Sequence, residues 1–120
     1  MKILVVEDLL DNQLLIKLVL KPTYAQVDIA SNGNDGVALA VANGYDAILM
    51  DIQMPFMDGH EATRSIRSEG CFTPIIALTA NAVAEEKQKC ADSGFTEFMT
   101  KPLDLKTLLQ TLARYAPQDD

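Results

Sequence analysis

The sequence predicts an α/β domain, a parallel sheet with helices packed on both faces, and three observations lead there. Five short, mostly apolar runs recur along the 120 residues. Segments with helical spacing separate them, and glycine or proline punctuates several of the joins. Strict alternation with short connections requires parallel strands joined by right-handed crossovers, which puts helices on both sides of the sheet. A chain of this length has room for one such core and little more. Residues 1–120 therefore read as a single domain, with a frayed tail over 117–120.

The elements follow in order. The first strand is Lys2–Val6, and it meets Glu7-Asp8 at once. Leu14, Leu18 and Val19 follow Leu10 at i+4, i+8 and i+9, the spacing of one helix face, and Pro22 stops that helix. A second strand, Val27–Ala30, leads to a helix marked by Val37, Ala40 and Val41, with Gly44 as its left-handed terminator. The third strand, Ala47–Met50, delivers Asp51, and Gly70 ends the helix beyond it. Pro74–Thr79 is the fourth strand. The next helical stretch, Val83–Ser93, is largely Ala, Glu, Lys and Gln with few apolar anchors, and Gly94 closes it. Thr96–Met99 leads through Thr100 to Lys101-Pro102. Asp104 then caps a last helix whose Leu105, Leu108, Leu109 and Leu112 form one stripe. The first, third and fourth runs are apolar without alternation, as strands covered on both faces are.

Charge narrows the function classes. Ten Lys and Arg against 17 Asp and Glu give a net charge of −7. Phosphate neutralisation needs a basic face, so a nucleic-acid binder is disfavoured, and so is an anionic membrane surface. No apolar run reaches the ~18 residues of a membrane span. The apolar opening is too short for a signal peptide. Cys71 and Cys90 lack metal spacing and are too few for a disulfide framework, so they read as two reduced thiols of a cytoplasmic domain.

In an open parallel sheet, ligands bind outside the carboxyl ends of the strands, where strand order reverses. Those ends carry Glu7-Asp8, Asp51, Thr79-Ala80 and Lys101. Three carboxylates, a hydroxyl and an ammonium thus converge on one rim. Like charges a few ångströms apart raise one another's pKa, and a hard divalent cation relieves the conflict. Mg²⁺ suits it, because it takes one or two carboxylates and keeps waters that a phosphate oxygen can replace. Lys101 can pair with Asp51 or with an incoming phosphoryl group, and Thr79 offers that group a hydroxyl. The set suits an aspartate nucleophile that accepts a phosphoryl group.

At these residues the sequence resembles the receiver domain of two-component response regulators. The resemblance runs from Lys2-Ile3-Leu4-Val5-Val6-Glu7-Asp8 to the final helix. It is carried by Glu7-Asp8, Ile48-Leu49-Met50-Asp51-Ile52-Gln53-Met54-Pro55, Met57-Asp58-Gly59, Ala77-Leu78-Thr79-Ala80 and Lys101-Pro102, in family order and at family intervals. It implies a flavodoxin-like, doubly wound sheet of order 2-1-3-4-5. It also implies that Asp51 takes a phosphoryl group from a phosphohistidine, with Mg²⁺ held by Asp8, Asp51, the Gln53 carbonyl and, through water, Glu7. Thr79 and Lys101 would hold the phosphoryl oxygens. Ala80 is small, as access to Asp51 requires. Thr79 and Phe98 would be the switch pair, acting on the surface of the fourth helix, fifth strand and fifth helix. Gln53 and Asn81 would tune the phosphoryl lifetime, and Lys101-Pro102 would be cis. The partner implied is a histidine kinase or a histidine phosphotransfer domain, and the chain itself a monomer or weak dimer. Transfer onto Asp51 would be self-catalysed and followed by slow autodephosphorylation, which is not turnover in the ordinary enzymatic sense. The wording around Met54–Gly59 and Ala77–Ala82 is similar to receivers of hybrid histidine kinases.

One departure stands out. Many family members have Asn or another polar residue after the second acid, where this chain has Leu9-Leu10. The change bears on the metal's outer shell and on the start of the first helix. His60 reads as a surface residue, and Met54, Phe56 and Met57 as loop packing. Three rival readings have discriminating features. An aspartate-nucleophile phosphatase of the haloacid dehalogenase type needs a second Asp where Gln53 stands. A flavin or nucleotide binder needs glycines in the first βα turn, and Glu7-Asp8-Leu9-Leu10-Asp11 has none. A non-phosphorylated pseudo-receiver would keep the fold and act only as an interaction module.

Overall fold

The computed structural model describes residues 1–117; of the tail expected over 117–120, residues 118–120 lie outside the described residues. Five strands, β1 (Lys2–Val6), β2 (Gln26–Ala30), β3 (Ala47–Asp51), β4 (Ile75–Thr79) and β5 (Glu97–Thr100), alternate with five helices. These are α1 (Leu10–Leu20), α2 (Gly33–Ala42), α3 (Gly59–Ser68), α4 (Ala84–Ser93) and α5 (Leu105–Ala113). All strand pairs are parallel and the sheet order is β2-β1-β3-β4-β5, as the resemblance implied.

Alternate side chains of the central strands feed two cores. Leu4, Val6, Ile48, Met50, Ile75 and Ala77 pack with Ala40, Ala62, Ile66 and Cys90 of α2, α3 and α4. Ile3, Val5, Ala47, Leu49, Ile76 and Leu78 pack with Ile16 and Leu20 of α1 and Leu108 and Leu112 of α5. Strands β3 and β4 are buried along their whole length, which explains why their sequences show no alternation.

The punctuation mostly acts as the sequence indicated. Pro22 sits in a 3-10 turn, Lys21–Thr23, directly after α1. Gly70 and Gly94 have φ of +81° and +104°, and Asp104 caps α5 by accepting from the Lys106 N–H at 3.1 Å. Gly44 is different. It is not in the left-handed region; α2 ends instead at Asn43, in extended backbone, whose side chain donates to the Leu39 carbonyl at 3.1 Å.

Two helix faces differ from the expected ones. Leu10, Leu14 and Leu18 of α1 point outward, exposed by 64%, 54% and 68%, while Ile16 and Leu20 enter the core. Helix α1 carries apolar side chains around most of its circumference, so an i/i+4 match exists on more than one face. In α5 only Leu108 and Leu112 of the four-leucine stripe are buried. In the β3–α3 loop, Met54 is buried and Met57 packs on the core, but Phe56 is fully exposed with φ +68°.

Candidate functional site

The reversal of strand order beside β1 sends α1 and α2 to opposite faces, which opens a crevice at the carboxyl ends of β1 and β3. Glu7 and Asp8 follow β1 and Asp51 ends β3, and one carboxylate oxygen from each lies within 4.8 Å of the others. Glu7 and Asp51 are buried, and Asp8 is half-buried. Lys101 reaches in from beyond β5. Its Nζ donates to Asp51 Oδ1 at 3.1 Å and stands 3.6 Å from Glu7 Oε2. The Lys101 backbone N–H donates to the Thr79 carbonyl at 2.7 Å, so the ends of β4 and β5 are pinned together. The Lys101-Pro102 peptide is cis.

Burial pushes the Asp51 acid up from its ordinary range, and Asp8 adds to the effect. The Lys101 ammonium and the Gln53 N–H, which donates to Asp51 Oδ1 at 3.3 Å, oppose it. Glu7 is pushed up by burial first and by the Asp51 charge second. One ammonium against three carboxylates leaves a deficit of positive charge. Among the described residues, Glu7 Oε2, 3.6 Å from the Lys101 ammonium, and Asp8 Oδ1 are buried without a hydrogen bond, a costly state that a further cation relieves. The donor set is all oxygen, and Mg²⁺ prefers oxygen. The residues present therefore fit that ion.

The Leu9 departure has a structural resolution. Leu9 sits at the N-cap of α1 with no side-chain cap. Its N–H instead donates to Glu7 Oε1 at 3.2 Å, and Asn12 Nδ2 donates to the same oxygen at 3.4 Å. Glu7 is thus supported by main chain and by the next turn of α1.

Thr79 ends β4, mostly buried, and its Oγ1 both accepts from the Asn81 N–H at 3.0 Å and donates to the Asn81 carbonyl at 3.2 Å. Gln53 and Asn81 are exposed and share the walls of one cleft with Thr79. Phe98 is half-buried on β5, opposite Ala77, and Lys87 of α4 lies over its ring at 5.3 Å from the centroid. His60 is not a surface residue: it is 1% exposed in the first turn of α3, bonded to Ser93 and Glu86 of α4. A lone histidine just past a loop has no periodic partner in the sequence, and only tertiary packing reveals its burial.

Residues 3–113 match the family model described as the response regulator receiver domain. The chain is 42% identical over 116 residues to the sensor histidine kinase RcsC of Salmonella typhimurium, covering 97% of this chain and 12% of that protein. It is 35% identical over 119 residues to the sensor protein GacS of Pseudomonas syringae, covering 95% of this chain and 13% of that one. Among solved structures, the receiver domain of the sensor histidine kinase PA1611 of Pseudomonas aeruginosa superposes with a TM-score of 0.86 at 39% identity, covering 95% of each chain. In that structure a magnesium ion is coordinated in the active-site cleft. The chemotaxis protein CheY4 of Vibrio cholerae superposes with a TM-score of 0.88 at 33% identity, covering 96% of this chain and 98% of that one. The chain belongs to the response regulator receiver family.

Proposed function

We propose that this receiver domain accepts a phosphoryl group onto Asp51 from a phosphohistidine, and that Mg²⁺ is held by Asp8, Asp51, the Gln53 carbonyl and, through water, Glu7. The observation that carries the reading is the cluster of three carboxylates around a single ammonium, with two buried oxygens that lack a hydrogen bond among the described residues. The ion would supply positive charge to the acidic rim and to the arriving phosphoryl oxygens.

The chain's own residues do the rest. Asp51, at the end of a fully buried strand, is held by the Gln53 N–H and Lys101, which fixes one oxygen and leaves the other to attack phosphorus. As the Asp51 oxygen bonds to phosphorus, the bond from phosphorus to the histidine nitrogen breaks and its electron pair stays on that nitrogen. Lys101 then turns from the carboxylate to the phosphoryl oxygens. Thr79 exchanges its bonds to Asn81 for one to the phosphoryl group, and Phe98 moves into the space released, shifting the α4–β5–α5 surface. Gln53 and Asn81, exposed on the cleft walls, set how readily water reaches the acyl phosphate.

The donor is a histidine kinase or histidine phosphotransfer domain, and α1 is its docking face. Leu10, Leu14 and Leu18 stand exposed on the helix that begins beside Asp8, so an apolar partner seated there lies next to the acceptor. A cytoplasmic location suits this donor. Among the described residues no helix is long and apolar enough to cross a membrane.

The test is incubation with Mg²⁺ and acetyl phosphate, read by intact mass, with beryllofluoride binding followed by NMR. One phosphoryl group on the wild type and none on Asp51→Asn is the expected result. Equal labelling of both proteins sinks the assignment of Asp51, and labelling of neither supports the pseudo-receiver.

A further inference from the structure

A second group of metal-ligating side chains lies between α3 and α4, apart from the carboxylate rim. His60 is in the first turn of α3. Glu86 and Cys90 are four residues apart on one face of α4. One ligand atom from each of the three lies within 4.8 Å of the others. His60 and Cys90 are buried, and Glu86 is half-buried.

Each imidazole nitrogen has its own partner. Ser93 Oγ lies 2.7 Å from His60 Nδ1 and 2.8 Å from the Lys89 carbonyl, so its one proton serves either, and it accepts from Arg64 at 3.4 Å. Nε2 is left facing Glu86 Oε1 at 3.0 Å. A proton on Nε2 joins it to Glu86 in the metal-free protein, and a metal ion can take that proton's place between the two ligands. A metal-ligating histidine is also commonly oriented by an outer hydrogen bond from its other nitrogen, as Ser93 does here. The ring of Phe95 packs edge-on against the imidazole at 5.6 Å and fixes its plane.

We propose that His60 Nε2, the Glu86 carboxylate and Cys90 Sγ form a site for a borderline-soft divalent ion, Zn²⁺ by its chemistry. Thiolate and imidazole select such an ion over Mg²⁺, which the all-oxygen rim takes. Three protein ligands leave a fourth tetrahedral position for water. His60 and Glu86 also line a cleft of about 220 Å³ shared with Thr79 and Asn81, which gives the ion a route in. Burial and the Glu86 carboxylate keep the Cys90 thiol protonated without metal. Loading therefore expels the thiol proton to solvent, passes the imidazole proton from Nε2 to Nδ1, where Ser93 Oγ accepts it, and leaves thiolate, carboxylate and neutral imidazole around the ion. Bound there, the ion staples α4 to α3.

Co²⁺ serves as the spectroscopic probe, titrated into the 120-residue chain under reducing conditions with excess Mg²⁺ to occupy the rim. The expected result is a tetrahedral visible band with a near-ultraviolet sulfur-to-cobalt charge-transfer band, both displaced by Zn²⁺. Cys90→Ser abolishes the charge-transfer band, while Cys71→Ser and Asp51→Asn leave it unchanged. Glu86→Gln, at a half-exposed position that tolerates an isostere, weakens Co²⁺ binding about tenfold or more and keeps the proposal testable if Cys90→Ser fails to fold. Absence of the charge-transfer band in the wild type overturns the proposal. So does its survival in Cys90→Ser, its loss in Cys71→Ser or Asp51→Asn, or wild-type affinity in Glu86→Gln.

Discussion

Gly59→Ala is expected to damage the acceptor without touching a functional side chain. Helix α3 begins at Gly59, and the Gly59 N–H donates to the Ile52 carbonyl at 2.8 Å, so the helix start rests directly on the main chain that carries Asp51. A Cβ at Gly59 would lie 2.5 Å from the Asp51 carbonyl oxygen, 2.8 Å from Ile52 Cα and 3.1 Å from the Asp51 carbonyl carbon, where ordinary contact begins at 3.4 Å. All three are backbone atoms, so no rotamer change relieves the clash, and either α3 or the end of β3 must shift by about 0.9 Å. Overpacking of this kind costs roughly 1–3 kcal/mol, against at most about 1 kcal/mol regained from helix propensity. A displacement near 1 Å at a reacting group costs on the order of 10²-fold in rate. Urea unfolding measures the first quantity, and the initial rate of Mg²⁺-dependent phosphorylation by acetyl phosphate the second. Gly44→Ala, where a new Cβ meets nothing within 4 Å, is the matched control. It should leave both quantities unchanged or gain up to about 1 kcal/mol. If Gly59→Ala is as stable as wild type and phosphorylates within about twofold of its rate, the steric account of this loop is wrong.

Other consequences are equally open to measurement. Lys101→Met should slow phosphorylation by roughly 10²–10³-fold, the scale for losing one charged donor to a transition state, while Mg²⁺ binding by fluorescence or calorimetry survives; unchanged phosphorylation would remove Lys101 from the site. Burial raises Asp51 and Glu7 above their ordinary values of 3.8 and 4.5. The folded chain therefore holds more protons than the unfolded one between those values and the raised ones, and metal-free stability should climb as pH falls through that window. Asp51→Asn should flatten the climb and raise the melting temperature near neutrality without Mg²⁺; an unaltered slope in thermal melts would refute this. Leu14→Glu should abolish transfer from a phosphohistidine donor yet leave labelling by acetyl phosphate intact, and loss or retention of both would argue against α1 as the docking face.

How much of this was legible beforehand depends on the kind of interaction. Strands β3 and β4 were legible because burial on both faces leaves a continuous apolar run, whose short length and surrounding punctuation separate a strand from a buried helix turn. The acidic rim was legible because parallel topology sends every strand's carboxyl end to one edge, so Glu7, Asp8, Asp51, Thr79 and Lys101 had to meet if the alternation was right. The buried face of α1 was not, since Leu10, Leu14 and Leu18 satisfy the same periodicity as a core stripe while facing outward. Gly44 failed as a terminator because Asn43 supplies a side-chain bond to Leu39 that a left-handed residue would otherwise replace. His60 failed for a third reason. Its burial depends on Ser93 and Glu86, about thirty residues away, and no local pattern encodes a pairing at that distance.

The same locality bears on how the proposed switch can work. Helix α4 has Cys90 and Ser93 as its buried residues, with polar ties from Glu86 and Ser93 to His60. A net hydrogen bond contributes about 0.5–1.5 kcal/mol, so an element held largely by such bonds sits a few kcal/mol from an alternative position. A helix sealed by leucines would need more, since truncating one buried Leu to Ala costs roughly 2–5 kcal/mol. Phosphorylation can move α4 only by as much as it favours one position over the other, and moving a two-state equilibrium from 1:99 to 99:1 takes about 5.5 kcal/mol. Charge-assisted bonds from Thr79 and Lys101 to a phosphoryl group, at about 1.5–3 kcal/mol each, are of that size. The sparse apolar anchoring of α4 is therefore what brings its displacement within reach of a single phosphoryl group on Asp51.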